Sequence, residues 1–281
     1  MIPMLNPLLN ILLLSLVASL GTGLGGLIAV IRKPGRRSYG LLMGITAGVM
    51  LCLSFLDLVN EAWKQAGWLT ATIGFGLGAT FMFLLDHFAP HIRFGEKEVR
   101  GDQSKLIPEA IDGICPGRHR FGRFRQRNQN LDLKLVNTGL LLAVGITLHN
   151  LPEGIAVGAG YLHNPQFGLF IAVAILLHNI PEGIATALPL CKGGVCRRDA
   201  FLAAFLSGFA EPVGAILASL FLVSFQNFVP GALAFAGGVM VFITLDELIP
   251  TAREYGHEHY TAIGIIIGSM FVFILSGIFG V

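Results

Sequence analysis

Eight apolar stretches, each long enough to cross a bilayer, constrain this chain more than any other feature. They run over Pro7–Ile31, Tyr39–Ala62, Gly67–His87, Leu135–Gly160, Gln166–Leu190, Ala200–Ser224, Phe228–Ala252 and Tyr260–Gly280. About 20 apolar residues carry a helix across the hydrocarbon core. None of the stretches alternates as a strand does, and only helices or closed barrels satisfy their backbone in lipid. Composition agrees: 54% of the chain is hydrophobic and 13% charged, against about 25% charged in soluble domains. The chain is expected to be an all-α membrane protein of eight transmembrane helices, one polytopic domain over residues 1–281. A soluble enzyme, a disordered chain, a disulfide-rich scaffold and a nucleic-acid binder are excluded. The first stretch has no Lys or Arg before Arg32, so it reads as a retained span rather than a signal peptide.

Of nineteen Lys and Arg residues, all but Lys64 fall in the first, third, fifth and seventh loops. Basic residues gather on the cytoplasmic side. The expectation is a multi-pass protein of the cell (inner) membrane with both termini outside. The basic loop 88–134 is then cytosolic and mobile, its Arg118–Arg127 cluster an anchor or a contact for anionic lipid. Cys115, Cys191 and Cys196 fall on the same side, where thiols stay reduced.

The chain repeats itself at an offset near 189. Leu24-Gly25-Gly26-Leu27 matches Val213-Gly214-Ala215-Ile216, Gly48-Val49-Met50 matches Gly238-Val239-Met240, and Leu56-Asp57 matches Leu245-Asp246. Ile73-Gly74 and Gly78 match Ile263-Gly264 and Gly268. Spans one to three thus resemble spans six to eight. Equivalent helices lie five spans apart, an odd number, so the two copies are inverted, an arrangement that recurs in transporters.

The fourth and fifth spans share a second, closer repeat. Leu148-His149-Asn150-Leu151-Pro152-Glu153-Gly154-Ile155-Ala156 and the nine residues from Leu177 to Ala185 are identical at eight positions. Ionisable groups within a span are costly and mark function. His149 and Glu153 share one helix face, as do His178 and Glu182, because residues four apart are neighbours. Two imidazoles and two carboxylates suit a borderline divalent ion: Zn²⁺ first, then Fe²⁺, Mn²⁺, Co²⁺ or Cd²⁺. Two buried glutamates repel each other, and one divalent ion neutralises both. Pro152 and Pro181 free the carbonyls of Leu148 and Leu177, and Gly154 and Gly183 permit close helix approach.

Asn150 and Asn179 point about 100° away from the His/Glu face. With Glu211, before Pro212, they form the candidate set for a second ion sharing the glutamates. Asp57 falls at the outer mouth, and Asp246 with Glu247 at the inner one. Attraction of cations or solvation of a helix end both account for them. Met50 and Met240 read as soft ligands or as core filling. An intramembrane metalloprotease is a competing reading, but it wants His-Glu-x-x-His and an open ligand position. A divalent-cation channel is a third.

The doubled His-Asn-x-Pro-Glu-Gly, Glu211-Pro212 and Asp246-Glu247-Leu248-Ile249-Pro250 resemble the ZIP (Zrt/Irt-like) divalent-metal transporters. The resemblance implies eight spans arranged as three, two and three, and a binuclear metal centre between the fourth and fifth. It further implies metal movement into the cytosol, an elevator-like motion and a homodimer. By motif match, His149, Glu153, His178 and Glu182 take the primary-site roles. Asn150, Asn179 and Glu211 take the secondary-site roles, with the glutamates bridging.

Overall fold

The computed structural model describes residues 7–32, 34–88, 133–255 and 257–281, and these are almost wholly helical. The loop expected over 88–134 lies, apart from its ends, outside the described residues. The helices are α1 (Pro7–Arg32), α2 (Arg36–Cys52), α3 (Asn60–Phe88), α4 (Leu133–His163) and α5 (Pro165–Lys192). After them come α6 (Arg197–Gly208), α7 (Ala210–Ser224), α8 (Val229–Ile243), α9 (Ile249–Tyr255) and α10 (Glu258–Phe279). Wide π-helical turns, Leu53–Val59 and Thr244–Leu248, join α2 to α3 and α8 to α9.

Among the described residues, seven continuous helices are long and apolar enough to cross a membrane. One of them, Arg37–His87, is 51 residues long and takes in the second and third expected stretches. Its backbone leaves helical geometry at Gly67 (φ 81°, ψ 169°), a left-handed φ that glycine adopts without steric cost. The expected turn is this single residue. The segment Asn60–Ala66 stays helical because Glu61, Ala62, Lys64 and Gln65 are good helix formers.

The expected sixth span, Ala200–Ser224, is interrupted at Phe209 between α6 and α7. Pro212 lacks an N–H and crowds the carbonyl of Gly208 four residues back. The Phe209 N–H closes the end of α6 on the Leu206 carbonyl instead, at 3.1 Å. The one-residue turn between α4 and α5 is set by Asn164, whose side-chain oxygen accepts from the Gln166 N–H at 2.8 Å, with Pro165 opening the helix.

The helices turn their apolar faces outward. On α1, Leu13, Val17, Leu20, Leu24, Leu27 and Ile31 are exposed, while Ser15, Ala18, Ser19, Thr22, Gly25 and Gly26 are buried. Small residues inside and leucine outside is the pattern of a helix in lipid, where close backbone packing replaces the hydrophobic effect. Four crossings carry the fold: α1 with α5, α4 with α7, α2 with α10, and α3 with α8. Each is lined by a glycine pair: Gly25/Gly183, Gly154/Gly214, Gly48/Gly268 and Gly78/Gly238. A Cβ added at any of them would fall 1.8–2.2 Å from a carbonyl oxygen of the opposing helix. The sequence repeat maps the first crossing onto the second and the third onto the fourth. The matches at offsets near 189 and 29 are therefore matches of packing, not of composition.

The reduced state expected for the loop cysteines fails at Cys196, which is disulfide-bonded. Its partner lies outside the described residues.

Candidate metal centre

The doubled motif lies on α4 and α5, which pack against each other. Both helices continue through Pro152 and Pro181. Each also crosses a neighbour at a motif glycine: Gly154 against the Glu211 carbonyl and Gly183 against that of Thr22. These approaches close the interior around the motif. His149, Glu153, His178 and Glu182 are at most 2% exposed, and Asn150, Asn179 and Glu211 are fully buried.

The four expected primary residues come together, but they pair across the helices rather than along them. His178 Nε2 lies 3.2 Å from Glu153 Oε1. His149 Nε2 lies 3.5 Å from Glu182 Oε2, an ion-pair approach rather than a hydrogen bond. Antiparallel helices bring residue 149 level with 182 and 153 level with 178. One ligand atom each of His149, Glu153 and Glu182 lie within 4.8 Å of one another, and His178 joins them through Glu153.

Of the secondary residues, Asn179 and Glu211 meet. Asn179 Nδ2 donates to Glu211 Oε2 at 3.0 Å and to the Ala18 carbonyl at 3.2 Å. Asn150 Nδ2 donates to the Ser207 carbonyl at 3.1 Å. Ala18 and Ser207 are 189 positions apart, so the two asparagines are anchored equivalently by the two halves. Both amide nitrogens are engaged, that of Asn179 by Glu211 as well as the backbone, and the oxygens remain.

Those oxygens belong to a set of buried atoms with no hydrogen-bond partner. It includes Asn150 and Asn179 Oδ1, Glu153 Oε2, both Glu182 oxygens, Glu211 Oε1, and Nδ1 of His149 and His178. Each unsatisfied buried polar atom costs about 1–3 kcal/mol, more when charged. So many lone pairs buried together favour a positive charge beside them. Neutral imidazoles and carboxylates with that geometry are the ligand chemistry of Zn²⁺ and its first-row neighbours.

Of the expected mouth residues, Asp57 is buried (8% exposed) with Oδ2 unpartnered, inside the first π-helical turn. Solvation of a helix end does not describe it. Asp246 and Glu247 are half-buried in the second π-helical turn. Met50 and Met240 are fully buried in the core, and the Thr244 hydroxyl lies 3.6 Å from Met50 Sδ. Sequence reasoning passed over Thr46, whose hydroxyl donates to the His178 carbonyl at 3.2 Å. The spacing of Thr46, Met50 and Ser54 at every fourth residue was the available signal.

A profile of the family described as "ZIP Zinc transporter" matches residues 96–276. Proteins named "Zinc transporter ZupT" are similar along most of their length. The one from Akkermansia muciniphila is 37% identical over 268 residues, covering 91% of this chain and 92% of the relative. That from Lysinibacillus sphaericus is 39% identical over 268 residues, covering 92% of each. That from Oceanobacillus iheyensis is 39% identical over 261 residues, covering 89% and 90%.

Proposed function

The chain belongs to the ZIP zinc transporter family, and from that premise we propose that it carries Zn²⁺ across the cell (inner) membrane into the cytoplasm. Fe²⁺, Mn²⁺, Co²⁺ and Cd²⁺ are further cargo candidates. The observation that carries the reading is the buried convergence of His149, Glu153 and Glu182 ligand atoms within 4.8 Å, surrounded by unpartnered oxygens. The primary ion is held by His149, Glu153, His178 and Glu182. A second ion shares the glutamates and takes Asn150, Asn179 and Glu211, making the centre binuclear.

Dividing the 51-residue helix at Gly67 gives eight spans, arranged as three, two and three, the outer triplets inverted copies. At 1.5 Å per residue that helix would measure about 77 Å, against about 30 Å of hydrocarbon, so one span cannot hold it. The asymmetry of basic residues then places both termini outside and the 88–134 loop in the cytosol. An elevator-like movement of the helices holding the metal, within a homodimer, completes the reading. Four ligands from rigid helices leave no open position for a hydrolytic water, which sets the metalloenzyme reading aside.

Uptake by proteoliposomes across a panel of divalent ions tests the proposal. Saturable Zn²⁺ uptake, abolished by His149→Ala, is expected. Absence of zinc uptake by the parent protein refutes transport, and unsaturable flux with single-channel conductance favours a channel.

A further inference from the structure

Among the described residues, the close glycine approaches sort the helices into two groups. One holds α1, α4, α5, α6 and α7; the other holds α2, α3, α8 and α10 with the first π-helical turn. Every glycine that nears another of these helices nears one of its own group. Close glycine crossings bind helices into one body. Across the boundary α4 meets α8, and α5 meets α2 and α10, with no such crossing among the described residues. All seven candidate ligands stand in the first group, on α4, α5 and α7. Beside the α4–α5 turn the boundary opens into a cavity of about 480 Å³. Its walls are the π-helical turn, α3 and α10 from one group and the α4–α5 turn from the other.

An ion pair bridges that gap. His163 Nε2, at the end of α4, lies 3.1 Å from Glu61 Oε1 of α3. Resting on the elevator-like movement above, we propose that Glu61 and His163, backed by Thr46, form a catch that holds the metal-bearing group against the other and sets how often it moves.

Three observations carry this. First, each partner of the pair is held by its own group. Within α3, Lys64 Nζ donates to Glu61 Oε2 at 3.4 Å and Gln65 Nε2 to Oε1 at 3.3 Å. The His163 ring stands edge-on to the buried Phe167 of α5, centroids 5.8 Å apart. Both side chains are therefore ordered before they meet. That reduces the entropy cost which weakens most surface pairs.

Second, the turn that carries His163 is seated on the far group by other contacts. Gln166 Nε2 donates to the Phe279 carbonyl, and the Phe170 and Phe279 rings lie 6.1 Å apart. Third, the boundary is also bridged at the level of the metal centre. Thr46, fully buried on α2, donates to the His178 carbonyl at 3.2 Å. One end of the catch thus holds the backbone of a candidate ligand. Neither end supplies an atom to the centre, so the catch governs where the metal-bearing group stands and not how tightly it binds zinc. Sliding of one packed body past another is a recurrent form of conformational change, and a few-fold bias between its positions is all that such contacts need to supply.

The test is double electron–electron resonance on the full-length protein in nanodiscs, with the native cysteines replaced. Nitroxides are placed at exposed Leu9 of α1 and exposed Trp68 of α3, one in each group. Zinc calorimetry is run on the same variants. Glu61→Lys sets a cation against His163 and is expected to raise the share of a second distance a few-fold, as loss of a partly exposed ion pair allows. Adding His163→Glu rebuilds the pair with its charges exchanged and returns the distances to those of the parent. Thr46→Val raises the same second distance, and Thr46→Ser, which keeps the hydroxyl, does not. Zinc affinity stays at the parent's value throughout. The proposal is overturned if Glu61→Lys or Thr46→Val leaves the distances unchanged, or if the charge exchange fails to restore them. It is equally overturned if zinc affinity falls along with them, since the contacts then support the centre itself. A parent that gives these distances but carries no zinc into proteoliposomes sinks the transport reading alone, because the distances are read without transport.

Discussion

Glu182→Gln is the sharpest test of the central site, because it removes one charge and almost no volume. Glu182 is 1% exposed, and both its oxygens lack hydrogen-bond partners. Its nearest opposite group is His149 Nε2 at 3.5 Å. With Glu153 and Glu182 both ionised, a divalent ion at the centre is neutralised; with glutamine at 182, one positive charge stays buried. Breaking a buried charge pairing costs about 3–5 kcal/mol. At about 1.4 kcal/mol per decade, the Zn²⁺ Kd rises by between a hundredfold and a few thousandfold.

The zinc-free protein behaves oppositely. Glutamine ends the repulsion between two buried carboxylates, so the apo protein melts no lower than the parent. The assay pairs Zn²⁺ calorimetry with thermal unfolding in detergent, with and without zinc. The parent gains about 2.7 kcal/mol at a free zinc concentration of 100 times its Kd. At that same concentration the variant gains almost nothing. A variant that binds zinc within tenfold of the parent refutes the charge argument. So does one whose weaker binding comes with an apo melting temperature well below the parent's, since the defect is then one of folding.

Three further outcomes follow from the same geometry. Gly183→Ala places a Cβ 1.9 Å from the Thr22 carbonyl, so α1 and α5 must separate; a loss of about 1–3 kcal/mol in unfolding free energy is expected, and an unchanged unfolding curve contradicts the close packing. Glu211→Gln leaves two excess positive charges instead of one beside two divalent ions, so zinc stoichiometry by equilibrium dialysis falls from two towards one; two retained ions, or none, refute the secondary-site role. With native cysteines removed, a cysteine at Gln166 labels with an impermeant thiol reagent in intact cells and one at Gly117 does not; the opposite pattern reverses the orientation.

Much of this architecture was legible because membrane burial writes itself into sequence. A helix in lipid must be apolar along its length, so span positions appear as runs, and an ionisable residue inside a run stands out. His149, Glu153, His178, Glu182 and Glu211 were visible for that reason. The glycine matches near offset 189 were visible because close crossings tolerate no side chain, and Gly25 with Gly214, and Gly48 with Gly238, fall at equivalent crossings.

Other features had no local signature. The π-helical turns at Leu53–Val59 and Thr244–Leu248 alter one hydrogen-bond step and leave hydrophobicity unchanged. Residues 63–66 were expected to lie between two spans, yet they favour helix and only Gly67 leaves the helical geometry. Asp57 near a span end read equally as a cation-attracting group or a solvated helix end, and packing buried it.

The sequence by itself determined the class of the molecule, its apolar runs, the doubled ligand motif and the helix face on which each ligand stands. These depend on composition and on the 3.6-residue period, both local properties. Only the tertiary structure decided which ligands meet. His149 faces Glu182 and His178 faces Glu153, pairings set by the level at which α4 and α5 cross. The one-residue turn at Asn164 sets that level, and the close approaches of Gly154 to α7 and Gly183 to α1, between residues far apart in the chain, hold the two helices at it.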